Sequence, residues 1–96
     1  MRIAEVIGKV TLSKCHPSLI GARWCVGTVL TWDGLCGDSD GREEPIVIYD
    51  DLGAGEGSRI ALSDGAEAAA PFHPRLVPLD AYNAAILDCI DIEEPR

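Results

Sequence analysis

Hydrophobic and polar residues alternate with a period of two along much of the chain, which is typical of β-strands with one buried face. The first alternating segment is 3–12, and the second is 24–32, which is rich in Val, Thr and Trp. On the second segment the large side chains share one face: Trp24, Val26, Leu30 and Trp32. Three further segments complete the prediction of five short strands: 46–49, 59–63 and 81–92.

The last of these segments, 81–92, is open to two interpretations because its alanines favour a helix. Its larger side chains nevertheless fall on one alternating face: Tyr82, Ala84, Ile86, Ile90 and Ile92. We therefore favour a strand that is buried on both sides.

The segments between the strands carry glycine and proline, which interrupt regular structure. Residues 15–21 are predicted to form a connection, and residues 51–57 a turn. Residues 33–44 form a polar loop that is long enough to be mobile. The alanine-rich segment 64–70 predicts one or two helical turns. Prolines at 71, 74 and 78 then enforce an extended stretch. The predicted fold is a single, mainly β domain over residues 1–96. It is a small five-stranded OB-like β-barrel, closed or partly closed, with one short helix.

The amino-acid composition narrows the range of possible functions and partners. Aromatic residues are only 5% of the 96-residue chain against 47% hydrophobic residues overall, so the core must be mostly Val, Ile, Leu and Ala. A domain of this size buries a limited fraction of its surface, and oligomerisation is the favoured source of further burial. Eight basic against 16 acidic residues give a net charge of −8, which argues against nucleic acid as a partner. No apolar run reaches the roughly 20 residues that span a bilayer, and no signal peptide is apparent. We expect a cytoplasmic protein that binds no membrane.

The four cysteines lack the usual spacings of zinc ligands, Cys-x-x-Cys followed by His-x3–5-His. Disulfides are not expected either, because the chain has no export signal. Cys25 and Cys89 lie in apolar runs and are predicted to be small core residues. No metal or other cofactor is predicted.

The turn Gly53-Ala54-Gly55-Glu56-Gly57 is the most distinctive local motif. It follows a strand, as a dinucleotide-binding loop does, but that fingerprint needs a glycine where this chain has Ser58, and then a helix. The glycines instead permit positive φ or the close approach of another backbone, which suits a subunit interface.

No catalytic constellation is apparent. Residues 38–41 match only the middle of a calcium loop, because a cysteine and a valine occupy the first and twelfth ligand positions. His16 and His73 lie in no recognised nucleophile motif, and Asp50 with Asp51 lacks a third group. We therefore do not expect an enzyme.

Several segments, in order along the chain, resemble one family. They are residues 1–10, Leu19-Ile20-Gly21, the run Tyr49–Leu62 with its Asp-x-hydrophobic-Gly-Ala-Gly-x-Gly pattern, and Leu79–Asp88 with Leu-Asp-Ala and Ala-Ile-Leu-Asp. Together they cover most of the chain, which resembles the EutN/CcmL family of bacterial microcompartment shell proteins. Two features depart from the pattern: 64–69 lacks an arginine that members often carry, and Ala85 replaces a common glycine.

The resemblance implies a cyclic homopentamer that caps the vertices of a polyhedral shell in the bacterial cytoplasm, between facets of hexameric shell proteins. It places one motif near the subunit interface or a central pore: Asp50, Gly53, Ala54, Gly55 and Gly57. Five copies carry −40 (5 × −8), so apolar contacts or local pairing must offset the repulsion. We predict that three arginines pair across the interface: Arg23, Arg59 and Arg75.

Two other classes of function stay open. An OB-like module binds small molecules or oligomeric ligands, but here the aromatic residues are not interleaved with Lys or Arg, apart from Arg23 beside Trp24. A small metal-dependent or redox enzyme would have to use Cys15, His16, Cys25 or Cys36. The acidic residues 91–96 are expected to be a solvated tail, with binding of a basic partner as the alternative.

Overall fold

The computed structural model describes residues 1–93, and its five strands close into one barrel in the order β1-β2-β3-β5-β4. The elements are β1 (Arg2–Val10), a first 3₁₀ helix (Pro17–Leu19), β2 (Trp24–Leu30), α1 (Trp32–Leu35), β3 (Arg42–Tyr49), β4 (Arg59–Asp64), a second 3₁₀ helix (Gly65–Phe72) and β5 (Ala81–Ile86). This architecture confirms the predicted fold class.

A parallel strand pair closes the barrel, whereas the other four pairs are antiparallel. The parallel contact joins β3 to β5 through one bridge, between Tyr49 and Tyr82. Parallel pairing is slightly less stable per residue than antiparallel pairing. Closure at this β3–β5 seam therefore depends on side chains more than it does elsewhere.

The interior of the barrel is filled by short, mostly aliphatic side chains, as the low aromatic content predicts. The buried cluster consists of Ala4, Val6, Cys25, Val29, Ile48, Ala54, Ile60, Leu62 and Ala81. Gly27, in the middle of β2, shows how tightly this core is packed, because a Cβ atom there would lie 2.8 Å from Cδ1 of Ile48. This glycine is therefore explained by close packing.

Several large side chains of β2 and β5 lie on the outer wall of the barrel, whereas Leu30, predicted on the same face of β2 as Trp24, is buried. On β2, Cys25 and Val29 are buried, whereas Trp24 and Val26 are only half-buried. The prediction that segment 81–92 is one strand buried on both sides was wrong, because β5 ends at Ile86, which is 44% exposed. The narrow interior of this five-stranded barrel is filled by aliphatic side chains, and the aromatic residues pack outside it.

Segment 32–41 is more ordered than a polar loop. Thr31 caps α1, its Oγ1 accepting a hydrogen bond from the backbone N–H of Gly34 at 3.2 Å. The backbone N–H of Thr31 also donates to the carbonyl oxygen of Gly41 at 3.0 Å, which closes the loop. Gly34 and Gly41 cross so closely that a Cβ on Gly34 would lie 2.0 Å from that carbonyl oxygen.

Two boundaries near prolines differ from the predictions. β3 begins at Arg42 rather than at Ile46 and contains Pro45. Because β3 pairs with β5 only at its far end, Pro45 has no strand neighbour on one side, and its missing N–H breaks no ladder bond there. The helical turns predicted at 64–70 are confirmed as the second 3₁₀ helix, which continues through Pro71 instead of ending before it.

Candidate assembly site

The carboxylate of Asp50, at the end of β3, organises the glycine turn that follows. Asp50 is 5% exposed, and its Oδ1 accepts hydrogen bonds from the backbone N–H groups of Leu52 at 3.2 Å and Gly53 at 3.1 Å. Its Oδ2 accepts from the backbone N–H of Ala54 at 2.8 Å. The side-chain amide of Asn83 on β5 donates to Oδ1 at 2.9 Å. Four donors therefore compensate this buried charge.

We call this arrangement the Asp50–Asn83 clamp, because it joins β3 to β5 beside their single backbone bridge. Asn83 is 1% exposed, and its Oδ1 has no hydrogen-bond partner among residues 1–93. Sequence reasoning did not single out Asn83. The sequence nevertheless contained a signal. An asparagine between small residues at an inward-facing position of a strand needs a polar partner inside the barrel.

Two glycines of the turn adopt backbone conformations that other residues rarely adopt. Gly53 has φ +78° and Gly57 has φ +87°, a region that favours glycine, so the predicted need for positive φ is confirmed at both. Between them, Ala54 is buried at 2% exposure. The turn returns to β1, where the N–H of Gly57 donates to the carbonyl oxygen of Val6 at 2.8 Å.

Close approach of another backbone within the subunit does not explain these glycines. A Cβ built on Gly53, Gly55 or Gly57 would have no atom within 4 Å from the described residues beyond its immediate chain neighbours, and all three glycines are exposed. The outer surface of the turn is thus open to a partner, and the interface role of this motif stays a prediction.

Cys25 lies inside the barrel, as predicted for a core residue. Burial and, to a smaller extent, the negative charge of Asp50 together raise the pKa of its thiol to about 11. The thiol is therefore protonated at neutral pH and unreactive. The matching prediction for Cys89 was wrong, because Cys89 lies beyond β5, where it is exposed.

Four of the five aromatic side chains form a cluster on the outer wall, which we call the aromatic wall. Tyr49 stands at its centre, with its ring centroid 5.5 Å from Trp24, 5.1 Å from Phe72 and 5.6 Å from Tyr82. The pKa of Tyr49 is raised, first by burial and then by the charge of Asp51 and the neighbouring Tyr82. These rings are half-buried against each other instead of being spread along a groove as stacking platforms for bases.

Two of the three predicted interface arginines border the aromatic wall. Nη2 of Arg23 donates to the carbonyl oxygen of Asp51 at 3.0 Å, and Cζ of Arg75 lies 5.7 Å from the ring centroid of Phe72. Arg59 lies elsewhere, on β4 opposite Glu5 of β1. Within residues 1–93 none of the three forms an ion pair, so their charges are available to a neighbouring copy. Their pairing across an interface stays a prediction.

The candidate metal and redox residues are not brought together. Cys15 is exposed near a cavity of about 330 Å³ at the Asp50 end of the barrel, and Cys36 is partly buried near α1. His16 lines a different hollow, together with His73. Across the described ranges, no three His, Cys, Asp or Glu side chains are grouped so that they could hold a metal ion. Within the same residues no helix has the length and apolar character needed to cross a membrane.

A small closed barrel held by a buried polar clamp, with packed aromatic rings outside, defines a compact β-barrel building block. The sequence model described as "Ethanolamine utilisation protein EutN/carboxysome" matches residues 1–88, and the chain belongs to this EutN/CcmL family. A search of curated protein sequences found no match.

Solved structures agree with this assignment. The chain is similar to the GrpN pentameric microcompartment shell protein from Rhodospirillum rubrum, with 28% identity and a TM-score of 0.78 over 97% of this chain and 100% of that one. It is also similar to CcmL of Gloeobacter violaceus, with 27% identity, a TM-score of 0.75, and coverage of 97% and 91%. EutN of Escherichia coli, at 23% identity, shares the fold with a TM-score of 0.77 over 96% of this chain and 89% of that one. The family role is structural, so the chain is a shell protein and not an enzyme.

Proposed function

We propose that the chain assembles as a homopentamer that caps the vertices of a bacterial microcompartment, inside the cytoplasm. The observation that carries this proposal is the end-to-end likeness to a pentameric shell protein, over 97% of this chain and 100% of that one. A polyhedral shell tiled by hexamers needs fivefold units at its corners, and the partners at those corners are the hexameric shell proteins of the facets.

The surface of the subunit supports assembly. Many large apolar side chains are exposed, among them Ile20 at 76%, Leu52 at 51% and Leu76 at 92%. Exposed apolar area on this scale in so small a domain marks interaction surfaces. In a ring, these residues and the aromatic wall would be covered by neighbouring copies in head-to-tail contacts that close after five repeats.

The native mass of the purified protein tests the ring directly. A dominant species near 51 kDa (5 × 10.2 kDa) is expected at low micromolar concentration. A monomer that persists at high micromolar concentration would contradict the proposal. Arg23→Ala, Arg59→Ala and Arg75→Ala are then compared at one concentration, and an unchanged ring for all three would remove the pairing hypothesis.

The role of the glycine turn is tested by substituting side chains of two sizes at Gly55, where a larger side chain should not disturb the fold of the subunit. Gly55 has no positive φ and no atom near its hypothetical Cβ, so Gly55→Ala and Gly55→Arg should both fold. If the turn lies at the interface or pore, only the arginine variant weakens the ring or narrows its opening. Identical rings for both variants, in mass and in electron-microscopy averages, would place the turn away from both.

Vertex capping is tested by co-expression with the hexameric shell proteins of the same microcompartment. Closed polyhedral particles are expected when this chain is present, and open or elongated assemblies when it is omitted. Closed particles of the same size in both cases would contradict a vertex role, even if the isolated protein is pentameric.

A further inference from the structure

A groove of about 460 Å³ lies beside the second 3₁₀ helix. Alanines of that helix, with Leu76 and Val77, form its apolar lining, and His16, His73 and Arg75 also line it. Leu76 is 92% exposed, which is the highest value among the large apolar side chains of the described residues. The groove thus combines an uncovered apolar surface with one fixed positive charge and two imidazoles.

A segment with complementary chemistry follows β5. Residues 88–93 carry acidic side chains at Asp88, Asp91 and Glu93, and apolar ones at Ile90 and Ile92. The last hydrogen bond toward the barrel is made just before it, from the N–H of residue 87 to the carbonyl oxygen of residue 59 at 2.8 Å. No hydrogen bond or ion pair of residues 88–93 is found within the described chain. This segment has strand-like alternation without a strand to pair with.

We infer that residues 88–93 of one copy lie in this groove of the neighbouring copy. The inference rests on the proposed ring and names a contact that would hold it together. Ile90 and Ile92 would cover the alanines and Leu76, while Asp91 and Glu93 would face Arg75 and the imidazoles. The family match ends at residue 88, so residues 89–93 of the proposed contact lie beyond the matched part.

The topology favours a neighbouring copy over the same subunit. The second 3₁₀ helix adjoins the start of β5, because the N–H of Gly65 donates to the carbonyl oxygen of Asp80 at 2.8 Å. β5 then runs from Ala81 to Ile86, about 20 Å at the rise of an extended strand, before residues 88–93 begin. The segment therefore starts at the opposite end of the strand from its own groove. A head-to-tail ring brings such separate surfaces of adjacent copies together.

Disulfide trapping tests the contact, since Cys89 already marks the segment. In a Cys15→Ser, Cys36→Ser background, a second thiol is placed in the groove by Ala66→Cys or Ala70→Cys, both exposed positions. Mild oxidation should link adjacent copies into a ladder that ends at a covalent pentamer on a denaturing gel. Adding Cys89→Ser should abolish the ladder.

The outcomes separate the contact from the ring. A 51 kDa native species (5 × 10.2 kDa) without a ladder from either groove cysteine overturns the inference and leaves the proposed pentamer standing. Loss of free thiols with only monomer on the gel also overturns it, because the segment would then occupy its own groove. A background protein that is monomeric before oxidation contradicts the proposed function itself.

Charge reversal provides a second readout. Arg75→Glu should slow cross-linking at least fivefold at low salt, and Asp91→Arg in the same chain should restore most of the rate. A rate that does not respond to either change would show that acidic residues of the segment do not face Arg75, and would overturn the electrostatic part of the inference.

Discussion

Replacing Asp50 with alanine removes the acceptor from all four hydrogen bonds of the clamp. Hydrogen bonds to a charged group each contribute about 1.5–3 kcal/mol. The N–H groups of Leu52 and Gly53 lie in an exposed turn and can bind water instead. The N–H of Ala54 and the amide of Asn83 are buried and cannot. Two unreplaced bonds give an expected loss of about 3–6 kcal/mol, a large share of the roughly 5–15 kcal/mol that stabilises a domain.

The measurement is urea unfolding at one fixed protein concentration, because a ring adds stability that depends on concentration. Tryptophan fluorescence reports the transition through Trp24 on the barrel and Trp32 on α1. Asp51→Ala is the matched control: its side chain is exposed, and a change within about 0.5 kcal/mol is expected. A free energy of unfolding for the Asp50 variant within about 1 kcal/mol of the wild type, at an unchanged m-value, would refute the clamp.

Two glycine variants and one labelling experiment test the packing of the barrel and the reactivity of its cysteines. Gly27→Ala should lower the free energy of unfolding by about 1–3 kcal/mol, because its Cβ would lie 2.8 Å from a methyl group of Ile48. Gly8→Ala is the control in the same unfolding assay: its Cβ would meet no described atom within 4 Å beyond its chain neighbours, so its loss of stability should be smaller. Gly34→Ala should open the crossing at α1, seen as faster limited proteolysis of 32–41 with Gly8→Ala again as the control; an unchanged cleavage rate would contradict it. At pH 8 iodoacetamide should label the exposed Cys15 readily and the buried Cys25 hardly at all, because a thiol pKa of about 11 leaves little thiolate. Mass spectrometry measures the two extents of labelling, and equal labelling would contradict the burial of Cys25.

The sequence allowed the strands to be predicted wherever alternation and turn residues agreed. The β4 prediction, 59–63, comes within a residue of the observed strand, because glycines precede it and a helical turn follows. The errors arise where tertiary context decides. Residues 87–92 keep the alternation of β5 but have no neighbouring strand in the barrel, so pattern alone could not find its end. The predicted start of the third strand at residue 46, just after Pro45, is wrong because local rules cannot reveal that one edge of β3 is unpaired.

The candidate site was predictable only in its backbone part. Glycines in a turn, such as Gly53 and Gly57, predict positive φ from the sequence alone, and both residues have positive φ in the structure. The clamp, by contrast, joins residues 50 and 83, and that pairing depends on which strands close the barrel. The groove beside the second 3₁₀ helix is likewise formed by the distant residues 16, 66–70 and 73–78. Spacing along one sequence carries no signal for either contact.

The distribution of charge explains why the two ends of the barrel should meet different partners. At the α1 end, segment 33–44 carries five acidic residues and one arginine. That arginine, Arg42, pairs with Glu5, while Glu43 pairs with Arg2. At the Asp50 end, Lys9 and Arg23 line the cavity and form no ion pair within the described residues. One subunit therefore carries an acidic excess at its α1 end, whereas the cavity at its other end is lined by two cations beside the buried Asp50. Salt should therefore weaken the binding of a basic partner at the α1 end more than it weakens apolar contacts.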